Sequence, residues 1–163
     1  MKRLSDCRGD NFSGGRITEL SLYKGDTYKL ELEGGTTFFL NCALVADYDL
    51  YEGGEMDSEL LEKLQRADNM RKAKKRALYL LGSRMYCYGE LYKKLLPTYG
   101  EEASRAAADA MQEYGYIDDE DYARKLAERL IRGKRYGMGK TRWEMQRRGL
   151  DRNLIEDVLT EYS

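Results

Sequence analysis

The sequence has no histidine. Histidine triads, HExxH zinc sites and most general-base machinery are thereby excluded. An enzyme built on this chain would have to work through carboxylates, lysine, tyrosine or cysteine. Cysteine itself is sparse. Cys7, Cys42 and Cys87 are odd in number, far apart and form no CxxC pair. Neither a disulfide framework nor a zinc site is expected, and three reduced thiols fit a cytosolic protein. No apolar run approaches the ~20 residues of a membrane span. The polar, glycine-rich start, Met1 to Gly15, lacks the apolar region of a signal peptide. A flexible N-terminal tail over 1–15, a cytoplasmic location and no membrane partner follow as expectations.

Charge is plentiful. Charged residues make up 35% of the 163 residues, above the ~25% usual in globular chains, while 42% hydrophobic residues still allow a core. The length suits one or two small domains. The net charge of -1 hides segregation. Residues 1–62 hold 13 acidic and 6 basic side chains, net -7, and residues 63–163 hold 16 and 22, net +6. A basic C-terminal part points to a polyanionic partner or an acidic protein surface.

From Arg16 to Leu40 the hydrophobic period is close to two. Tyr28, Leu30 and Leu32 alternate with Lys29, Glu31 and Glu33, and Thr36 to Leu40 is β-branched and aromatic. Lys24-Gly25-Asp26 and the two-residue hairpin signal Gly34-Gly35 divide the runs. This predicts a three-stranded antiparallel meander, which needs a helix on its apolar face to be stable. Its expected role is a platform for the following helix, with docking through its exposed edge as the alternative. Residues 41–56 read as a connection, so 16–56 form a small β-meander and connection. Asp57 or Ser58 caps a helix that runs to about Gly82, with a bend near Asp68-Asn69. Its basic block, Arg71 to Arg76, reads as a solvated face, or else as a phosphate contact.

The second half repeats with a period near 50. Leu80, Arg84, Tyr86, Gly89, Leu91 and Leu95 align with Leu130, Lys134, Tyr136, Gly139, Thr141 and Met145 at an offset of 50. Ala106, Ala107, Ala110, Met111 and Tyr114 align with Leu154, Ile155, Val158, Leu159 and Tyr162 at 48. Each copy reads as long helix, short helix, helix, with a helix-end glycine, Gly100 or Gly149, before the third helix. A leading helix and first repeat span 57–116 and the second repeat 117–163. The fold class is therefore mainly α, with a small N-terminal antiparallel β-sheet followed by two tandem three-helix repeats. On the long helix of the second copy, Tyr122, Ala123, Leu126, Ala127, Leu130 and Ile131 should face inward, and Arg124, Lys125, Arg129 and Arg132 outward. Between the repeats, Gly115 should end one helix and Asp118 cap the next, with Asp119, Glu120 and Asp121 in its first turn. Asp151 should cap the last helix. Tyr79, Tyr86, Tyr114, Tyr136 and Tyr162 recur at repeat positions and read as structural. Trp143 reads as core, with base stacking or a partner anchor as the alternative.

Gly115-Tyr116-Ile117-Asp118-Asp119-Glu120-Asp121-Tyr122-Ala123 resembles the boundary signature GYLDDERFA of the RecX regulatory proteins. Tyr136-Gly137-Met138-Gly139, followed by Met145-Gln146-Arg147-Arg148-Gly149-Leu150, is similar to the family's later motif. Gly89-Glu90-Leu91 stands where SRAEL is usual. Many members carry a third repeat where this chain has two. The resemblance implies a non-enzymatic modulator of the RecA recombinase, which binds in the groove of the RecA filament on single-stranded DNA and lowers its ATP hydrolysis, strand exchange and extension. It implies no cofactor or metal, and a monomer is expected. Bare DNA would be bound weakly.

Between Arg124 and Arg152 stand eleven basic and three acidic residues. The expected partner- and DNA-binding face is Arg124, Arg129, Arg132, Arg135, Lys140, Arg142, Arg147 and Arg148, with Lys74 and Lys75 on the leading helix. Arg132 and Arg148 should both be exposed, and local carboxylates should be too few to pair the set. Stacked helical units make an extended surface of this kind. The alternative is a helical-repeat nucleic-acid-binding protein with no recombinase partner. A hydrolase built on the acidic cluster 118–121 would require a divalent metal, yet the cluster lacks the alternating spacing of a calcium loop. Gly137-Met138-Gly139-Lys140-Thr141 ends like a phosphate-binding loop, but Lys134 stands where the first glycine belongs and a helix precedes it.

Overall fold

The computed structural model describes residues 2–4 and 14–162. The chain divides into two compact units between Asn69 and Met70. In the first, β1 (Lys2–Arg3), β2 (Gly15–Lys24), β3 (Thr27–Leu32), β4 (Thr37–Asn41) and β5 (Glu55–Met56) form one sheet in the order β1-β4-β3-β2-β5. Strands β2 to β4 are the antiparallel meander that the alternation predicts. The register sets Leu20 against Leu30 and Leu30 against Phe38, so that Leu30, Leu32, Phe38 and Leu40 are buried. Gly34 and Gly35 do turn β3 into β4. The Leu32 amide donates to the Thr36 carbonyl at 2.8 Å, however, so the loop is longer than two residues.

Neither short outer strand is foreseen by the alternation, because two residues carry no period. β1 lies within the stretch expected to be a flexible tail. It runs parallel to β4, and Leu4 beyond it is buried. Residues 5–13 of that stretch, Cys7 included, lie outside the described residues. β5 and α1 (Cys42–Asp47) lie within the expected connection. Helix α1 is capped by Asn41, whose side chain accepts from the Ala43 amide at 2.9 Å.

Helix α2 (Ser58–Ser83) begins at Asp57, which accepts from the Leu60 amide at 2.7 Å. The expected bend near Asp68-Asn69 does not interrupt it. Leu61 and Leu64 on its first turns close the core formed by Ile17, Leu30, Phe38, Leu44 and Met56. The sheet thus has the helix it needs on its apolar face.

The second unit contains the last turns of α2, then α3 (Tyr88–Glu113), α4 (Asp119–Glu128), α5 (Met138–Arg147) and α6 (Arg152–Thr160). Helix α3 is two helices joined at Gly100, whose φ of 77° breaks the helical path. Counting its halves separately gives two sets of three helices. Among the described residues no strand follows Met56. The aligned positions have matching burial. Leu80, Leu91 and Leu95 are buried in one copy, and Leu130, Thr141 and Met145 in the other. Ala107, Ala110 and Met111 answer to Ile155, Val158 and Leu159. The inward stripe of α4 is as expected, with Ile131 partly buried.

Asp118 accepts from the Asp121 amide at 3.1 Å, and Asp151 from Asn153 and Leu154, so both caps form. Three expectations need correction. Tyr79 and Tyr114 are exposed rather than structural, and Trp143 is 59% exposed rather than core. Helix α5 buries only Thr141 and Met145, which leaves its other faces to solvent.

Candidate anion-binding clefts at the repeat junction

The two repeats meet where the first turn of α3 lies against the turn between α5 and α6. Gly89 and Gly149 make this possible. A Cβ on Gly89 would lie 2.6 Å from the Gly149 carbonyl oxygen and 3.0 Å from its Cα. The buried Cys87 thiol donates to the Arg148 carbonyl at 3.2 Å, and burial pushes it up to about 12, so it stays a protonated, inert thiol. The Asp119 carboxylate reaches across to accept from the Tyr88 amide at 2.8 Å, capping α3 of the other repeat. Burial raises Asp119 above the usual carboxylate range, although that amide bond acts the other way.

One polar chain crosses this junction. Arg84 donates to Glu90 at 3.2 Å, and its guanidinium sits 3.6 Å from the Tyr86 ring centroid. The Tyr122 hydroxyl donates to the other oxygen of Glu90 and accepts from Arg148 at 3.1 Å. Burial, then the bond to Glu90, push Tyr122 up to about 12, so the phenol keeps its proton at neutral pH. Arg148 also donates to Glu144 at 3.2 Å, and Arg147 donates to the same carboxylate at 2.7 Å. The hydrogen bonds from Arg147, with those from Arg148, hold Glu144 below the usual carboxylate range.

A cleft opens on each side of this chain. One, of about 420 Å³, is lined by Arg84, Met85, Tyr122, Lys125, Leu126, Arg129 and Arg148. The other, of about 470 Å³, is lined by Arg84, Tyr86, Glu90, Lys93, Lys94, Arg147 and Arg148. Arg84 and Arg148 belong to both. The first lining contains no carboxylate, and the second contains only Glu90, already engaged by Arg84 and Tyr122. Guanidinium and ammonium groups converging on open, half-apolar clefts form a place for an anion. A π-helical turn, Arg129–Gly133, continues α4 beside the first cleft. Such turns recur at functional sites.

The expected basic face is only partly brought together. Arg129, Arg147 and Arg148 line the clefts, while Lys74 and Lys75 lie on α2 and line neither. Arg124 pairs with Glu120 at 2.7 Å, Arg132 with Glu128 at 3.3 Å, and Arg142 with Glu156 at 2.5 Å. The expectation that local carboxylates are too few therefore fails for these three and for Arg147 and Arg148. Among the described residues, Arg129, Arg135 and Lys140 have no carboxylate within ion-pair distance; Lys140 lies instead 3.9 Å from the Tyr136 ring centroid. The side chain of Arg132 is 72% exposed as expected, whereas that of Arg148 is 25% exposed and tied into the junction. Arg84, Lys93, Lys94 and Lys125 join the site without having been singled out for it. Arg84 carried a signal, its alignment with Lys134. Both cations sit on the repeat tyrosine, Lys134 at 5.8 Å from the Tyr136 centroid.

These elements define a tandem three-helix-repeat protein with cationic clefts at the repeat junction. The family model for the second three-helix domain of RecX matches residues 118–159. Regulatory protein RecX of Clostridium botulinum (strain Alaska E43 / Type E3) is 27% identical over 148 residues, covering 89% of this chain and 69% of the relative. That of Caldanaerobacter subterraneus subsp. tengcongensis is 28% identical over 137 residues, covering 83% and 69%. Regulatory protein RecX of Thermus thermophilus is 38% identical over 85 residues, 52% of this chain and 58% of the relative. A crystal structure of regulatory protein RecX superposes with a TM-score of 0.71 at 24% identity, over 91% of this chain and 74% of that one, a likeness of fold. Over most of its length the chain is similar to the RecX regulatory proteins, and its second repeat matches the model of their second three-helix domain. Among the described residues no helix is long and apolar enough to cross a membrane.

Proposed function

We propose that this protein is a cytoplasmic, non-enzymatic modulator of the RecA recombinase. In this reading it binds the RecA–single-stranded DNA filament as a monomer and lowers ATP hydrolysis, strand exchange and filament extension. The working division is a β-platform formed by residues 2–4 and 14–56, a leading helix with the first repeat over 57–116, and the second repeat over 117–163, with the binding clefts between the repeats. No cofactor takes part.

The observation that carries the proposal is the pair of cationic clefts sharing Arg84 and Arg148 at the repeat junction. Lysine and arginine in a cleft engage the phosphates or acidic side chains that such a filament groove would present. The binding face shifts accordingly from the whole basic surface of the second repeat toward Lys125, Arg129 and the Arg84–Arg148 pair.

The test is a titration of RecA's DNA-dependent ATPase. Wild type should inhibit. Lys125→Glu with Arg129→Glu should fold normally, because both side chains are exposed, and should inhibit far less. Truncating a desolvated charged contact costs about 2–5 kcal/mol, and a rim contact shows mainly as slower association. Undiminished inhibition by the folded double variant would refute the cleft assignment. Tight binding to bare DNA with no effect of wild type on RecA would favour the nucleic-acid-binding alternative.

A further inference from the structure

Trp143 is the single tryptophan of the chain, and it is unburied. It stands on α5 with Lys140 three residues before it and Arg147 four residues after, which places the three on one helix face. The Arg147 guanidinium lies 5.5 Å from the Trp143 ring centroid. Lys140 is held 3.9 Å from the Tyr136 ring centroid. Arg147 also lines the cleft that contains Arg84, Lys93, Lys94 and Arg148. An exposed indole is thus joined, through one arginine, to a cationic cleft. A single exposed apolar side chain is ordinary; this one differs in presenting a flat π-face beside an arginine that also lines the cleft.

We propose that Trp143 is a stacking platform for a base of single-stranded nucleic acid, with the flanking phosphate held in the Arg147-lined cleft. The two halves fit one nucleotide unit: a π-face for the base and cations beside it for the phosphate. Stacking accepts any base, since every base has a π-face, while the cations set the backbone path. Arg147 has a double role. Its pair with Glu144 fixes its position, and its guanidinium brackets the indole and reaches the cleft. The arrangement deepens the filament reading given above and rests on it for its biological setting. Its chemistry is tested without RecA.

The probe is an oligothymidylate of about 12 nucleotides, within the site sizes of single-strand binders, added at low salt while Trp143 fluorescence is followed. Stacking should quench the fluorescence saturably. An abasic oligonucleotide of equal length keeps the phosphates and should not quench. Trp143→Ala should weaken oligothymidylate binding, read by anisotropy of a labelled strand, by roughly 5- to 150-fold. Trp143→Phe should recover part of the loss. Equal quenching by the abasic strand or by polyglutamate would overturn the proposal, because only charge would then be sensed. So would oligothymidylate binding that is unchanged in Trp143→Ala. If that variant lost inhibition of the RecA ATPase yet bound oligothymidylate as wild type does, Trp143 would be an anchor for protein, and base stacking would be wrong. Quenching by oligothymidylate with no effect of wild type on RecA would leave the stacking site standing and remove the filament reading. Inhibition of RecA without quenching would do the reverse.

Discussion

Replacing Gly89 by alanine sets two effects of opposite sign against each other. Alanine is the better helix former by up to about 1 kcal/mol, and Gly89 lies in the first turn of α3. Propensity alone predicts a gain. The added Cβ, however, would stand 2.6, 3.0 and 3.1 Å from the carbonyl oxygen, Cα and carbonyl carbon of Gly149. All three are backbone atoms, in a turn whose own φ of 89° suits glycine, so nothing flexible can swing aside. Overpacking of this kind costs about 1–3 kcal/mol. The expected net result is a loss of roughly 1–2 kcal/mol. The aligned glycine of the other repeat supplies the control. A Cβ on Gly139 meets nothing within 4 Å, so Gly139→Ala should gain roughly 0.5–1 kcal/mol. Urea unfolding followed by circular dichroism reads both, as midpoint shifts at unchanged slope. Gly89→Ala as stable as wild type, or shifted in the same direction as Gly139→Ala, would refute the close backbone approach at the junction.

Asp118→Ala removes the acceptor for the Asp121 amide and should lower stability by ~1 kcal/mol in the same assay while leaving partner binding intact. Tyr122→Phe removes the hydroxyl between Glu90 and Arg148 and should cost about 1.5–3 kcal/mol, the range for hydrogen bonds to charged groups. Because the folded-state value of Tyr122 is raised from 10 to about 12, the wild-type advantage over Tyr122→Phe should be full below pH 10. It should disappear as pH rises through about 12, which thermal melts across alkaline pH can follow. Glu144 is shifted the other way, downward from 4.5. The advantage of wild type over Glu144→Gln should therefore be present at neutral pH and fade as pH falls below about 4.5, as melts in acidic buffers would show.

Much of the fold was legible because burial repeats. The offset of 48–50 residues was visible in Leu80, Leu95 and Met111 and their partners, since each occupies an equivalent buried helix position. Caps such as Asp118 and Asp151 were legible because a cap and its amide partners lie within three residues. The site was less so. Counting charges between Arg124 and Arg152 left out Glu120, Glu156 and Glu161, which lie outside that window and pair with Arg124 and Arg142. Tyr122 meets Glu90 across 32 residues and Arg148 across 26, a separation no local pattern reports. Arg148 therefore looked like a surface charge, although it is held in the junction. Trp143 was misplaced for a related reason. A ten-residue helix with two buried positions gives too weak a stripe to rank its remaining faces.

Co-sedimentation shows whether the protein engages a recombinase filament through the clefts at its repeat junction. RecA filaments on single-stranded DNA are pelleted with the wild-type protein and with Lys125→Glu/Arg129→Glu, and bare single-stranded DNA serves as control. Wild type should be recovered saturably with the filament and much more weakly with bare DNA, and little of the double variant should appear in either pellet. Equal recovery of wild type with filament and bare DNA, or full recovery of the double variant with the filament, would contradict that engagement.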